Sequence, residues 1–263
     1  MKAWKRIHIT KKRAVCGALG LLLLAAAYMG VPRAAEKVFA VAEGERRLPI
    51  YCVQTDKPQV SVSFDAAWGA DDTDELLRIL KENDVKATFF LCGYWVEKYP
   101  EEVKKIAAEG HDLGNHSATH PHMGRISSEE IAQELQKCHE NVKKLTGVEM
   151  ELFRPPFGEY DNHVIETAEQ NGYYTIQWDV DSLDWKEQGA EAEIRQVLEH
   201  KHLGNGSIIL FHNDAKYTPK VLDTILKGIK EKGFEIVPIS QLIHRENFEM
   251  DHEGRQILKG KEA

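Results

Sequence analysis

The chain has 263 residues, of which 42% are hydrophobic and 29% are charged, and its formal net charge is −8 at pH 7. This mixed composition excludes a disordered chain, and the length is sufficient for one globular domain with a sizeable hydrophobic core. The excess of negative charge argues against nucleic acid as a partner, because polyanions are bound through clusters of lysine and arginine.

The N-terminus combines a basic cluster with an apolar run. Six lysine and arginine residues lie within positions 1–13, and the 18 residues from 14 to 31 carry no charge. This pattern predicts a basic cytoplasmic segment at 1–13 and a signal anchor that crosses the membrane at 14–31. A cleaved signal peptide, which would make the protein secreted, is the alternative. In either case residues 32–57 are predicted to form a polar, extended linker outside the cytoplasm.

Beyond this linker, strand and helix patterns alternate. Val60, Val62 and Phe64 alternate with polar residues, which predicts a strand that ends at Asp65. The predicted order is strand 60–65, helix 74–82, strand 86–92, helix 100–108, a short strand before residue 116, helix 128–146, strand 151–154, helix 162–170, strand 173–179, helix 190–199, strand 207–212, helix 220–232, strand 234–238 and helix 239–244. Such alternation predicts an α/β fold with a parallel sheet or barrel. Residues 244–263 are predicted to form a polar tail.

Several polar side chains lie at or just after predicted strand ends. They are Asp65, His116, His120, Arg154, Asp184 and His212. In a parallel barrel these strand ends share one rim, so we expect the side chains to meet at one mouth. Two imidazoles four residues apart, with an oxygen ligand and an open position, suit zinc, with cobalt or nickel as alternatives. By spacing alone, two solvated or hydrogen-bonded histidines are the alternative; together with the motifs described next, His116 and His120 are the predicted ligands of a divalent metal.

Five motifs carry a resemblance to a known family. They are Ser63-Phe64-Asp65, Gly114–His120, Arg154–Gly158, Asp181–Trp185 and Ile209–His212. In this order they resemble the polysaccharide deacetylase (NodB-homology) family, carbohydrate esterase family four, over residues 58–243. The resemblance implies a NodB-type distorted (β/α) barrel and a metal-dependent hydrolase that removes acetyl groups from a cell-wall polysaccharide. An N-acetylated peptidoglycan sugar is the expected substrate.

The resemblance also implies roles for the polar residues. Asp65 matches the general base, and Arg154 matches the residue that holds this base in place. His212 matches the general acid, and Asp184 is expected to raise its pKa by favouring the charged imidazole. The opening Phe-Asp-x-x-Trp-Gly is similar to the branch of the family associated with spore-forming bacteria, which implies a role in sporulation.

Substrate contacts are also expected at the mouth. Leu210 and Trp185 match the family's acetyl-pocket positions, although on sequence alone both could equally be core residues. Phe157 is a further candidate for substrate binding. Packing in the core or at the rim is the favoured interpretation for each single aromatic residue near the mouth, but together they are enough to stack on sugar rings: Trp68, Tyr94, Trp95, Phe157, Tyr160, Trp178 and Tyr217. We expect a monomer whose partners are the cell-wall polysaccharide and, through the N-terminal helix, the membrane.

One position departs from the family pattern. The family usually carries a second aspartate directly after the base, as the third protein ligand to the metal, whereas this chain has Ala66. Asp65, Asp71 or Asp72 could supply that ligand, and helix capping is the other role open to Asp71 and Asp72. The departure leaves an alternative function, a catalytically impaired protein that keeps the fold and binds cell-wall glycan. A metalloamidase acting on a small amide is a third hypothesis.

Three cysteines follow the apolar run. Cys52, Cys92 and Cys138 are widely spaced, and their odd number argues against a disulfide framework. Buried thiols are the favoured interpretation for Cys92 and Cys138, and a single Cys52–Cys92 or Cys52–Cys138 disulfide is the alternative.

Overall fold

The computed structural model of the protein describes residues 46–260. The predicted basic segment, the predicted signal anchor and residues 32–45 of the predicted linker lie outside these residues. Within the range 46–260, no helix is both long and apolar enough to cross a membrane. Residues from Arg47 onward form one compact unit.

The described chain alternates strands and helices, largely as predicted. The strands are β1 (Cys52–Val53), β2 (Gln59–Ala66), β3 (Thr88–Leu91), β4 (Asp112–Asn115), β5 (Leu152–Phe153), β6 (Tyr174–Thr175), β7 (Val180–Asp181), β8 (Ile208–His212), β9 (Glu235–Ile236), β10 (Phe248–Met250) and β11 (Arg255–Leu258). The helices are α1 (Thr73–Glu82), α2 (Gly93–Lys98), α3 (Pro100–Ala108), α4 (Ser128–Thr146), α5 (Asn162–Gln170), α6 (Ala190–Leu198), α7 (Thr218–Glu231) and α8 (Ile239–Leu242). Short 3₁₀ turns lie at Met123–Arg125, Pro156–Gly158 and Asp184–Lys186.

Eight of the described strands form one parallel sheet. Their order is β6-β5-β4-β3-β2-β8-β7, and β9 pairs with the beginning of β2. This confirms the predicted α/β class with a parallel sheet. Within residues 46–260, β6 and β7 at the two ends of the order do not pair with each other, so the barrel is incompletely closed.

The central strand β2 is buried on both faces. Val60, Val62 and Phe64 belong to the large apolar cluster shared with the helices. The alternating Ser61 and Ser63 are also fully buried, and their hydroxyl groups donate to the carbonyls of other strand segments at 2.7 and 2.8 Å. The polar face of the predicted strand therefore points into the barrel, where hydrogen bonds offset the cost of removing the hydroxyl groups from water.

Both ends of the domain differ from the expectation of a linker and a polar tail. Ile50 pairs with Ile176 beyond β6, and Cys52 pairs with Ser207 before β8, so this segment connects the end of one strand to the start of another. β1 also pairs with β11, which pairs with β10, in a separate three-stranded sheet. Part of the predicted linker and most of the predicted tail thus belong to the fold. The strands are only two to four residues long, too short for their period to stand out in the sequence.

Local predictions had mixed outcomes. The Ser127 side chain accepts from the amide of Glu130, and the Glu130 carboxylate accepts from the amide of Ser127, so the two residues form a capping box at the start of α4. Of the predicted strand 173–179, only β6 (Tyr174–Thr175) forms, and β7 begins after it at Val180. Asp72 takes the N-cap position of α1 but makes no side-chain capping bond. The three cysteines Cys52, Cys92 and Cys138 are buried free thiols, so the alternative of a disulfide was wrong.

Candidate active site

The residue predicted as general base is held by a buried arginine. Asp65 is 5% exposed at the C-terminal end of β2, and Arg154, just after β5, is fully buried. Arg154 Nη1 donates to Asp65 Oδ1 at 2.7 Å, while Nη2 donates to Ser63 Oγ at 2.9 Å and to the Gln177 carbonyl at 3.1 Å. The guanidinium also lies over the ring of Phe90, with its carbon 4.1 Å from the ring centre. The arginine therefore has little freedom to leave the carboxylate.

This pairing determines the charge of Asp65. Burial on its own raises the pKa of a carboxyl group, but the charge of Arg154, with smaller contributions from His116 and His212, outweighs burial and lowers the pKa of Asp65. Asp65 is consequently ionised at neutral pH and able to accept a proton.

The two predicted metal ligands lie side by side after β4. The ring centres of His116 and His120 are 4.9 Å apart. His116 Nδ1 lies 2.7 Å from the carbonyl oxygen of Arg154. Because a carbonyl only accepts, Nδ1 carries the hydrogen and Nε2 is left with its lone pair, the arrangement that orients a ligating imidazole.

Local backbone geometry sets the position of the second imidazole. Ser117 and His120 both adopt the left-handed conformation, with φ of 65° and 58°. The amide of His120 donates to Ser117 Oγ at 2.9 Å, and the amide of Ser117 donates to Asn115 Oδ1 at 2.9 Å. Burial lowers the pKa of both imidazoles, that of His120 to about 4, with the charge of each neighbouring histidine adding to the effect at His120. Both rings are neutral at pH 7, as metal binding requires.

The donor set fits two ligand positions of a metal site. His116 Nε2 lies 3.7 Å from Asp65 Oδ2. The side chain directly after Asp65 is the methyl group of Ala66, which is 1% exposed and has no donor atom. Within residues 46–260, no group of three or more histidine, cysteine, aspartate or glutamate side chains is arranged to hold a metal ion.

Asp71 and Asp72, the other candidates for the third metal ligand, do not contact the two histidines. Asp71 is exposed, and Asp72 is buried with Oδ2 accepting from the amide of Asp214 at 2.7 Å. Burial raises the pKa of Asp72 to about 6. Asp72 therefore ties the loop after β2 to the loop after β8. Of the three aspartates considered, Asp65 is the one that contacts His116.

The residue predicted as general acid is held by a buried carboxylate. Asp184 is 2% exposed; its Oδ1 lies 2.8 Å from His212 Nδ1 and its Oδ2 accepts from the His212 amide at 2.6 Å. Burial lowers the pKa of His212, but the hydrogen bond and charge of Asp184, together with the charges of Asp65 and Asp181, outweigh it and raise the pKa. The charged imidazole is favoured, so His212 can donate a proton.

The predicted base and the predicted acid lie side by side on neighbouring strands. β2 and β8 are neighbours, and Asp65 is the register partner of His212. The ring of Trp68 stacks on the imidazole of His212, with the ring centres 5.3 Å apart. The chain thus brings together all six polar side chains that the sequence placed at strand ends.

The predicted substrate contacts divide into exposed and buried residues. Phe157 is 57% exposed and packs perpendicular to His120, with the ring centres 4.5 Å apart. Trp185 is 53% exposed, whereas Leu210 is 2% exposed on β8. Trp95, expected among the aromatics at the mouth, is 1% exposed and donates its indole hydrogen to the carbonyl of Gly69 at 2.8 Å. Trp95 is thus a core residue on the buried side of α2 and not a candidate for sugar stacking.

Some residues that shape the site have no sequence signal. The Asn213 side chain accepts from the amide of Ala67 at 3.1 Å and donates to the carbonyl of Gly69, which positions the loop that carries Trp68. Thr218, at the start of α7, contacts Asp184 at 3.3 Å. Their side chains form hydrogen bonds with partners more than 30 residues away in sequence, so the sequence alone does not reveal these contacts.

The chain is similar to known proteins over most of its length. Residues 53–176 match the polysaccharide deacetylase family. A Bacillus cereus protein named peptidoglycan-N-acetylglucosamine deacetylase is 34% identical over 191 residues, which cover 71% of this chain and 69% of the relative. The chain therefore belongs to the polysaccharide deacetylase family, and the resemblance inferred from the five motifs is confirmed.

Two further relatives are also similar. The Bacillus subtilis protein YlxY, described as uncharacterized, is 36% identical over 195 residues, and the match spans 74% of this chain but only 60% of that protein. The structure of BA3943 from Bacillus anthracis, described as a CE4 family pseudoenzyme, has 36% sequence identity and a TM-score of 0.71 over 74% of this chain and 68% of that one. A mutant of BA3943 is described as having restored enzymatic activity.

Proposed function

We propose that this protein is a metal-dependent hydrolase that removes acetyl groups from a cell-wall polysaccharide, with an N-acetylated peptidoglycan sugar as substrate. The observation that carries the proposal is the pairing of an arginine-held, ionised Asp65 with a carboxylate-held, protonated His212 at adjacent strand ends. A protein that only binds glycan has no need for a base and an acid in opposite protonation states facing one another.

Hydrolysis of an acetamide needs a base, a charge-stabilising group and an acid. His116 and His120 would hold the divalent ion, zinc with cobalt or nickel as alternatives, which polarises the acetyl carbonyl when bound. Asp65 takes a proton from the water whose oxygen forms the new bond to the acetyl carbon. His212 donates a proton to the sugar nitrogen as the carbon–nitrogen bond breaks, so acetate and a free amine are released.

The exposed side chains near these groups support a glycan as the substrate. Trp68 and Trp185 are each 53% exposed and Tyr94 is 40% exposed. Aromatic faces of this kind stack on sugar rings. We place the domain outside the cytoplasm, held at the membrane by residues 14–31 or secreted after their cleavage, and acting as a monomer during sporulation.

A second function is favoured by Ala66, whose methyl group stands where the family usually has a metal ligand. In this alternative the protein binds cell-wall glycan without efficient turnover. The description of the similar BA3943 structure as a pseudoenzyme supports it.

The test is acetate release from acetylated glycan oligomers and from peptidoglycan. The full-length protein is stripped with a chelator and resupplied with zinc, cobalt or nickel. Metal-dependent release supports the deacetylase. Absence of release with every metal, from folded protein that still binds the glycan, refutes the deacetylase and supports the alternative.

Three sets of variants assign the activity to the site. Asp65→Asn and His212→Ala should each abolish acetate release without unfolding the domain. Replacement of His116 and His120 together should remove bound metal, measured by elemental analysis, and unchanged metal content would show that the ligands lie elsewhere. Ala66→Asp should tighten metal binding, whereas unchanged affinity would show that the third position is already filled.

A further inference from the structure

Glu193 is a buried carboxylic acid that the proposed mechanism does not use. It lies on α6 and is 5% exposed, whereas the side chain of Glu191 on the same helix is 90% exposed. Within residues 46–260, no lysine or arginine forms an ion pair with Glu193. Burial of an ionised carboxylate without a cation is costly, so a specific partner should account for its position.

That partner is a hydroxyl group that Glu193 shares with Asp184, the residue paired with His212. Thr218 is fully buried, and its Oγ1 lies 2.9 Å from Glu193 Oε1 and 3.3 Å from Asp184 Oδ2. A hydroxyl has one hydrogen and cannot donate to two carboxylates. Asp184 is paired with His212. One arrangement therefore gives both contacts of the Thr218 hydroxyl a hydrogen: Glu193 carries a proton and donates it to Thr218, which in turn donates to Asp184.

The pKa of Glu193 lies close to neutral pH. Burial raises the pKa of Glu193 to about 7, the hydrogen bond from Thr218 opposes this, and the negative charge of Asp184 adds to it. As the pH rises past this value, Glu193 becomes an anion and the hydroxyl of Thr218 turns to donate to it. Asp184 then loses one donor and gains a negative neighbour, and both changes strengthen its attraction for the proton on His212.

We propose that Glu193 is a positioning residue which acts through Thr218 and Asp184 to keep His212 protonated as the pH rises above neutral. The other titratable groups that face His212 are Asp65 from β2, His116 after β4 and Asp181 from β7. None of these makes a hydrogen bond to Thr218, so the hydroxyl links Glu193 specifically to the Asp184 carboxylate. The description of His212 as an acid rests on the proposed function, whereas the coupling itself is a property of the folded chain.

The test is the titration of His212 in the metal-free, full-length protein. Histidine labelled with ¹³C at Cε1 is followed by NMR between pH 5 and 9, and the signal of His212 is identified by its loss in His212→Asn. Glu193→Gln keeps the shape of the side chain and cannot ionise. We expect it to lower the titration midpoint of His212 by about one pH unit, the effect of a full charge roughly 11 Å away at an effective dielectric near 20. An unchanged midpoint would overturn the proposal.

Two controls test whether the coupling between Glu193 and His212 passes through Thr218. Glu191→Gln removes a carboxylate from the exposed face of the same helix and should leave the midpoint of His212 where it is; an equal shift would show a general charge effect and overturn the proposal. In the background of Thr218→Val, Glu193→Gln should have less than about half its effect, because coupled sites are not additive. An undiminished effect would overturn the route through the hydroxyl. These readouts need no turnover, so a protein without deacetylase activity can still show the coupling.

Discussion

Replacement of Arg154 by leucine removes the cation that neutralises the buried carboxylate of Asp65. The two groups are joined by a hydrogen bond of 2.7 Å, and their side chains are 0% and 7% exposed. Removal of one partner from such a pair costs about 3–5 kcal/mol, because the remaining charge is left buried without compensation. We expect Arg154→Leu to lower the free energy of unfolding of the metal-free protein by that amount at pH 7.

The loss should depend on pH in a defined direction. In the wild type the pKa of Asp65 is lowered, so its ionised form stabilises the fold above the unfolded pKa, and this contribution is lost as the pH falls through the folded value. Without Arg154, burial dominates and raises the pKa of Asp65 above the unfolded value. The deficit of the variant should therefore be largest at neutral pH and shrink toward pH 4, where the carboxyl group takes up a proton.

The assay is urea unfolding followed by circular dichroism at pH 7 and pH 4.5. Arg195→Leu is the matched control, because it removes a cation from the exposed face of α6, where the side chain is 58% exposed. That variant should show no measurable change in stability at either pH. An equal deficit at both pH values in Arg154→Leu, or no deficit, would refute the account of Asp65 as a buried charge that depends on one arginine.

Three further predictions concern the acid, the groove and the closure of the barrel. Asp184→Asn removes the carboxylate that raises the pKa of His212, so the alkaline limb of the pH profile of kcat/KM should move to lower pH by about one unit. Trp68→Ala should raise KM for acetylated oligomers up to about tenfold, because one stacked aromatic ring contributes about 1 kcal/mol to binding. The temperature of thermal unfolding should be unchanged. An unchanged KM would show that the glycan binds elsewhere. Gly206→Ala places a methyl group where it clashes with the carbonyl oxygen of Val53 in β1. Measured by urea unfolding, it should lower the free energy of unfolding more than Gly233→Ala does. Gly233 has a similar φ but open space around it, so backbone strain alone costs about 1–2 kcal/mol there. Equal losses in the two variants would show that β1 does not pack tightly against Gly206.

The sequence alone determined the class of fold and the composition of the site. Alternating strand and helix periods specify parallel strands, and parallel strands bring their C-terminal ends to one rim. Asp65, Arg154 and His212 could therefore be assigned to one mouth although they are far apart in the chain. The close pair His116 and His120 was equally readable, because the two predicted ligands lie four positions apart within a single loop.

The tertiary structure decided which polar and aromatic groups are free to act. Trp95 and Trp68 look alike in the sequence, yet packing buries the first and leaves the second over His212. Asp72 could cap a helix or bind a metal, but a backbone amide from a distant loop takes one of its oxygens. Glu193 reads as one of several acidic residues on a helix until its neighbours are known. The physical reason is that period and spacing follow from local geometry, whereas burial, hydrogen-bond partners and protonation depend on contacts between segments distant in sequence.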